Sequence, residues 1–293
     1  MIALSVRNLV KRYKNFKLEI PELILESGYI MALLGRNGAG KTTLIRCILD
    51  FAKKECGEVF IFQQPFDCDK VDIKQRIGIV FENPVFPTHL KPKELKEIMK
   101  GFYKSWDEKL YKNLCDLFEI EQNKSIFQLS KGTVMKLSIA LALAHKPDLL
   151  ILDEPTSGLD PVARNQFVEI LQSFVQSEEK AVFYSTHIVS DIENVADFVT
   201  IIDKGKIICS TNTEEIQNSF CIVKGSAADV DKLLKSSIIA LKKSSMIFEA
   251  LCKKNCLKDE FRSYFVFEKP SIEKFYVMLV RKDDNDEKVL DIM

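Results

Sequence analysis

No segment of this sequence is long and apolar enough to cross a bilayer. The longest apolar-rich stretch, Leu137–Ala144, falls far short of the roughly 20 residues that a spanning helix needs. Any membrane work is therefore expected from a partner. The opening residues, Met1 to Phe16, hold no apolar run ahead of their first charge, so no signal peptide is expected there. Charge of either sign is not in excess, since Lys plus Arg and Asp plus Glu both number 42. Nucleic-acid binders ordinarily show a basic surplus, so no nucleic-acid partner is expected. The eight cysteines lack the regular spacing of a disulfide framework, which fits reduced thiols. Cys252 and Cys256 lie four apart, but no second Cys or His pair completes a four-ligand zinc site. Internal repeats and low-complexity tracts are also missing.

What remains is ample core material, with 46% hydrophobic residues in 293, enough for one large domain and a small one. Ala3–Val6 and Leu18–Leu25 read as strands, with Pro21 marking an edge or a break. Tyr29–Leu34 is a continuous apolar run, as a buried parallel strand requires. Thr42–Asp50 reads as a helix and Arg76–Phe81 as a strand. A mainly helical stretch follows over about 84–146, with helices expected at Lys93–Phe102, Asp107–Phe118 and Gly132–Ala144. Leu149–Leu152 and Val182–Tyr184 are short buried strands around a helix at Val162–Gln176. Phe198–Ile202 and Lys206–Ile208 read as a hairpin about Lys204–Gly205. The expected division is an α/β domain over 1–210 and a small α+β extension over 211–293. In the extension, Ala227–Leu234 and Ile272–Leu279 read as helices. Ser236–Leu241, Met246–Leu251 and Phe265–Phe267 read as strands, and Arg281–Lys288 as a charged tail.

Between the apolar strand and the helix stands Gly35-Arg36-Asn37-Gly38-Ala39-Gly40-Lys41-Thr42, which fits G-x-x-x-x-G-K-S/T in full. Three glycines let the backbone curl so that its N–H groups face a phosphate. The helix that follows, with Thr43 in its first turn, offers its positive N-terminal end to the same anion. Lys41 is placed for the β- and γ-phosphates and the Thr42 hydroxyl for Mg²⁺. ATP and Mg²⁺ are the expected cofactors, and a P-loop NTPase core with a mostly parallel sheet is the expected fold.

A second apolar strand, Leu149–Leu152, ends in Asp153 and Glu154. Asp153 is placed to hold Mg²⁺, directly or through water, and Glu154 to orient and polarise an attacking water.

Three further features make the set specific. Leu129-Ser130-Lys131-Gly132-Thr133 opens a helix 23 residues before Asp153 and resembles the LSGGQ signature of the ABC ATPase family. Pro155–Pro161 resembles that family's D-loop, and Ser185-Thr186-His187 its switch histidine. The resemblance spans about residues 1–210. It implies head-to-tail dimers in which Ser130 and Gly132 of one copy seal ATP on the phosphate loop of the other. His187 would contact the γ-phosphate, Asp160 would act across the dimer, and Tyr13 would stack on adenine. The partner copy would be a second copy of this chain or a paralogous ATPase.

Two departures stand out. Lys131 and Thr133 replace the usual Gly and Gln, and Glu82 stands where the family's Q-loop has Gln. A carboxylate can ligate Mg²⁺ but cannot donate as an amide does. Phe81-Glu82-Asn83-Pro84, Trp106-Asp107, the Ser130-Lys131-Gly132 form and Leu141–Pro147 resemble the ABC-2 type exporters, among them bacterial antibiotic-export, immunity and acetoin-utilisation ATPases. In that group a separate polytopic permease spans the membrane. Asn83–Leu95 is the expected docking segment for it, and the cytoplasmic face of the cell membrane the expected location. The rival is a soluble ABC ATPase acting on nucleic acid or ribosomes. Against it, Lys41 and Ser130 are only 89 residues apart with no coiled-coil heptads between, and there is one cassette. A regulatory ATP binder would have lost Glu154 or His187, and a phosphotransfer kinase would leave the signature unexplained.

Overall fold

The computed structural model describes residues 1–67, 69–193, 195–233, 237–257 and 264–281. The chain divides into two compact units, Met1–Ser210 and Thr211–Met293.

The first unit opens with an antiparallel pair, β1 (Ile2–Tyr13) and β2 (Phe16–Glu26), in register from Leu4↔Leu25 to Tyr13↔Phe16. Pro21 lies inside β2, not at its end. The ladder skips the position facing it but keeps its register on either side, Arg7↔Glu22 and Leu9↔Ile20; Asn8 there takes a φ of 49°, where the neighbouring β1–β4 ladder shifts register between Arg7 and Val10. Next come β3 (Ile30–Leu34), α1 (Lys41–Ile48), β4 (Cys56–Ile61), β5 (Gln64–Pro65), α2 (Val71–Lys74) and β6 (Ile77–Val80). The helical stretch holds α3 (Pro92–Phe102), α4 (Glu108–Leu117) and α5 (Lys131–Ala144), followed by β7 (Leu149–Asp153), α6 (Pro161–Val175), β8 (Ala181–Thr186), β9 (Phe198–Asp203) and β10 (Lys206–Asn212).

These strands form one ten-stranded sheet in the order β5-β4-β1-β2-β10-β9-β3-β8-β7-β6. The expected parallel character holds for the half β9-β3-β8-β7-β6. The half β5-β4-β1-β2 is antiparallel. The parallel strands β3, β7 and β8 are buried at every position, as sheets covered on both faces require. Their side chains meet those of α1 in a core that includes Leu33, Ile45, Ile48, Leu149, Ile151 and Phe183. The β9–β10 turn carries Lys204 at φ 44° and Gly205 at φ 80°, the two left-handed residues of a tight hairpin.

The second unit has α7 (Thr213–Ser219), β11 (Phe220–Ser226), β12 (Ile238–Lys243), β13 (Ile247–Lys253), β14 (Val266–Glu268) and α8 (Ile272–Arg281). Its sheet runs β12-β13-β11-β14, antiparallel throughout, over a small core of Val223, Phe248, Ala250, Cys252 and Phe265. Ala227–Lys232 is a 3-10 turn. The expected tail beyond Arg281 lies outside the described residues.

Candidate active site

The phosphate loop leaves β3 at Gly35 and enters α1 at Lys41. Gly38 and Gly40 have φ of 80° and 112°, the left-handed region that favours glycine. At Gly40 an added Cβ would also lie 2.8 Å from Phe16 Cζ. Lys41 folds back over the loop it closes. Its Nζ donates to the Gly35 carbonyl at 2.7 Å and the Arg36 carbonyl at 3.2 Å, and stands 3.1 Å from Glu154 Oε1. The two side chains are 6% and 7% exposed, so the ion pair is formed largely away from water.

Glu154 follows β7 with a φ of 51°. For a non-glycine residue this is a sparsely populated conformation, of the kind that gathers at functional sites. It is held there by β8: Glu154 N–H donates to the Ser185 carbonyl at 3.1 Å, and Ser185 Oγ donates to Asp153 Oδ1 at 2.7 Å. Glu154 Oε2 lies 2.7 Å from His187 Nδ1. A carboxylate only accepts, so Nδ1 carries the proton in this contact. The His187 backbone N–H adds a second donor at 3.3 Å.

These groups border a cavity of about 540 Å³ lined by Phe16, Asn37, Gly38, Gly40, Lys41, Thr42, Thr43, Glu82, Glu154 and His187. Most of the candidate residues thus converge. Gly35 contributes its carbonyl to Lys41. The Arg36 side chain is exposed, and only its carbonyl turns inward. Ala39 is buried, and its N–H is already used by Arg36 O at 3.1 Å. Tyr13, expected against adenine, does not line the cavity. It is half-exposed, with Lys11 Nζ 5.2 Å from its ring centroid. Its cross-strand neighbour Phe16 takes the wall position, because the turn between them delivers the strand's first residue, not the previous strand's last, to the loop.

Ser130, Gly132 and Asp160 lie outside the lining and form a surface of their own. Ser130 caps α5, accepting from Thr133 N–H at 3.0 Å. Asp160 caps α6, accepting from Ala163 N–H at 2.9 Å, and that backbone donor, with Lys136 beside it, holds its carboxyl below the usual range. Gly132 abuts the Gly158 carbonyl so closely that a Cβ would lie 2.6 Å from it.

Of the three residues expected at a cation, Thr42 and Glu82 line the cavity, whereas Asp153 does not; it is 1% exposed and accepts from Ser185 Oγ. Among the described residues no cluster of three His, Cys, Asp or Glu side chains makes a complete metal cage. The hydroxyl and carboxylate groups of this set are oxygen donors of the kind that suits Mg²⁺, which is usually held by one or two carboxylates together with the phosphates it accompanies.

The family described as ABC transporter matches residues 18–157. The lantibiotic transport ATP-binding protein SrtF of Streptococcus pyogenes is 34% identical over 226 residues, covering 74% of this chain and 96% of the relative. This chain belongs to the ABC transporter ATP-binding proteins. The bacitracin transport ATP-binding protein BcrA of Bacillus licheniformis is 36% identical over 70% of this chain and 68% of its own length. An uncharacterized ABC transporter ATP-binding protein of Nostoc sp. is 34% identical over 73% of this chain, and there the match spans only 65% of the relative. A solved ATP-binding subunit of an ABC transporter superposes with a TM-score of 0.67 at 26% identity, over 74% of this chain and 92% of that one. Within this ABC subunit, sequence reasoning missed Phe16 on the cavity wall and Asp191, a buried carboxylate that accepts from Thr156 Oγ1. The aromatic partner of Tyr13 across a two-residue turn was a signal for the first. Nothing in the sequence marks the second.

Proposed function

We propose that this chain hydrolyses MgATP as the motor subunit of an ABC-2 type exporter. It works as a dimer, of itself or with a paralogous ATPase, on a separate polytopic permease at the cytoplasmic face of the membrane. The observation that carries this reading is the placement of the Glu154 carboxylate on the cavity wall between Lys41 and His187. Lys41 grips the β- and γ-phosphates, and exchanges its ion pair with Glu154 for phosphate oxygens as it does so. Glu154, relieved of that pair, accepts the proton of the attacking water, while His187 holds it in place and reaches the γ-phosphate. Thr42, Glu82 and Asp153 would hold Mg²⁺, which would supply neutralisation of charge on the β- and γ-phosphates. Ser130 and Gly132 of the second copy close the site with a hydroxyl and helix N-terminal amides, and Asp160 acts across the same interface.

An apolar surface supports the docking assignment for 83–95. Val85 is 93% and Phe127 80% exposed. Their segments are joined by hydrogen bonds from Phe127 N–H to Thr88 O at 2.9 Å and from Ile126 N–H to Leu90 O at 2.8 Å. The bacitracin and lantibiotic transport names of two relatives support the exporter reading. The test is recovery of the tagged chain from membranes. A co-purifying polytopic membrane protein is expected, whose association falls when Val85 and Phe127 are both changed to Ser. Repeated recovery of ribosomes or DNA in its place overturns the reading.

A further inference from the structure

Away from the cavity, a carboxylate that the mechanism does not use is almost completely buried. Asp191 is 3% exposed and closes the 3-10 turn Val189–Asp191 that follows His187. A buried charge is tolerated only when it is paired and hydrogen-bonded, and its partners are distributed in a telling way. Asp191 Oδ2 accepts from Thr156 Oγ1 at 2.6 Å and from Tyr184 OH at 3.3 Å. Asp191 Oδ1 has no aligned hydrogen bond but stands 3.3 Å from Arg164 Nη1. Burial, with the Asp191 charge adding to it, pushes the Tyr184 phenol up, so it remains a donor.

Thr156 and Arg164 flank the loop 155–161: Thr156 is at its start, 1% exposed, and Arg164 is in the first turn of α6, just after its end. The same loop carries Gly158 and Asp160, which lie against the start of α5 through Gly132 and Lys136. The geometry points to Asp191 as a positioning residue that clasps both ends of the 155–161 loop to the segment bearing His187. Three rungs then tie the strand ends together in order: Asp153 with Ser185, Glu154 with His187, and Thr156 with Asp191. The first two set the reacting groups. The third fixes the loop that reaches the second copy relative to those groups, so movement of the loop is passed to His187.

The inference rests on the proposed ATPase reading, and its test separates the two. Full-length Thr156→Val, Asp191→Leu, which keeps the branched shape without an acceptor, and the double variant are compared with wild type for phosphate release, KM for ATP and Tm. Each single variant is expected to lose about tenfold or more in kcat with KM changed less than about twofold, as a displaced catalytic group does. The double variant is expected to be no worse than the worse single, because both remove one unit. Thr156→Ser, which returns the hydroxyl, recovers the turnover lost in Thr156→Val. Unchanged kcat with a lowered Tm, or losses that add in the double variant, overturn the clasp. If wild type releases no phosphate, the ATPase reading itself fails, and the clasp is read from deuterium uptake at residues 155–161 and 187–191. Faster uptake at both segments in Thr156→Val, reversed in Thr156→Ser, supports it. Uptake that changes at one segment alone, or at neither, overturns it.

Discussion

Replacing Glu154 with glutamine exchanges one carboxylate oxygen for an amide at the point where Lys41 and His187 meet. The shape is kept and the charge is not. Loss of a general base costs about 10²–10⁴ in rate, equivalent to about 2.7–5.4 kcal/mol on the barrier. Binding moves the other way. Two unit charges about 4 Å apart near a protein surface interact by roughly 4 kcal/mol. Removing the anion 3.1 Å from Lys41 therefore relieves a repulsion of that order on an incoming phosphate and leaves the Lys41 cation free for it. The nucleotide-free fold loses a charge-assisted contact worth about 1.5–3 kcal/mol, a Tm drop of roughly 3–12 °C for a unit of this size. ATP should reverse that drop, because binding stabilises the folded state. The assay is phosphate release alongside thermal melts with and without MgATP, and molar mass by light scattering. The expected variant turns over very slowly, binds ATP at least as tightly as wild type, and accumulates as a nucleotide-bound dimer. Turnover within about threefold of wild type, well short of the loss a base removal brings, would remove Glu154 from the base role.

Lys41→Ala removes the cation that bridges Gly35, Arg36 and Glu154; ATP affinity should fall at least about tenfold, from a lost charge-assisted contact of roughly 1.5–3 kcal/mol, and an unchanged titration refutes it. Gly205→Ala should lower Tm by several degrees, since its Cβ would lie 1.9 Å from Lys17 O at a φ of 80°, a strain of about 1–3 kcal/mol before any clash. Gly101→Ala is the contrast: in α3 with nothing within 4 Å of the added carbon, it should raise stability by about 0.5–1 kcal/mol, and equal effects at the two positions would contradict both assignments. His145 is buried, with Nε2 against Ile77 O at 3.1 Å and its ring stacked on Tyr103, and burial holds it below its ordinary value of 6.5. The unfolded chain therefore takes up a proton that the folded chain refuses, so this contribution is fully present above about pH 6.5 and is lost as pH falls below it. Melts across that range should show wild type losing Tm more steeply than His145→Gln, and parallel slopes would refute the assignment.

The segments that were legible are those where one local rule acts alone. β3, the phosphate loop and α1 combine an unbroken apolar run, glycines at φ 80° and 112°, and an amphipathic helix, and each signal is local. β7 ending in Asp153 and Glu154 reads the same way. The hairpin about Lys204–Gly205 followed from its turn residues. β4 escaped because Cys56–Ile61 is half exposed and glycine-broken, and its strand identity comes from pairing with β1, a partner some fifty residues earlier that no window spans. β11 escaped for the same reason, being the strand between β13 and β14 in its sheet. Pro21 reads as an edge or break because a strand interior seldom tolerates it, whereas β2 runs through it in unchanged register by skipping one pair, at Asn8. In the site, chemistry-bearing residues announced themselves through fixed spacing. Phe16 and Asp191 did not, since a phenyl ring on a cavity wall and a carboxylate buried against Thr156 are products of tertiary packing.

The residues of the proposed mechanism separate into two sets that one chain does not bring together. Lys41, Thr42, Glu154 and His187 line a single cavity, and Lys41, Glu154 and His187 are oriented by one another. Ser130 and Asp160 are outside that lining and exposed, yet they are as firmly oriented as the first set, each capping its helix through a backbone N–H at 3.0 and 2.9 Å. Orientation without a local ligand is unneeded for stability beyond the cap itself, which Asn would supply as well at either position. Glycine at 132 is likewise demanded by the close approach of the Gly158 carbonyl, which pins the start of α5 to the loop carrying Asp160. On the proposed mechanism the two sets are half-sites of one composite site, and a second chain supplies the missing face. Mixing Lys41→Ala chains with Ser130→Ala chains should then leave some turnover, because one of the two composite sites in a mixed dimer receives both intact halves. Each variant alone should have almost none. A mixture as inactive as its components would place both halves in the same chain and undo the two-chain site.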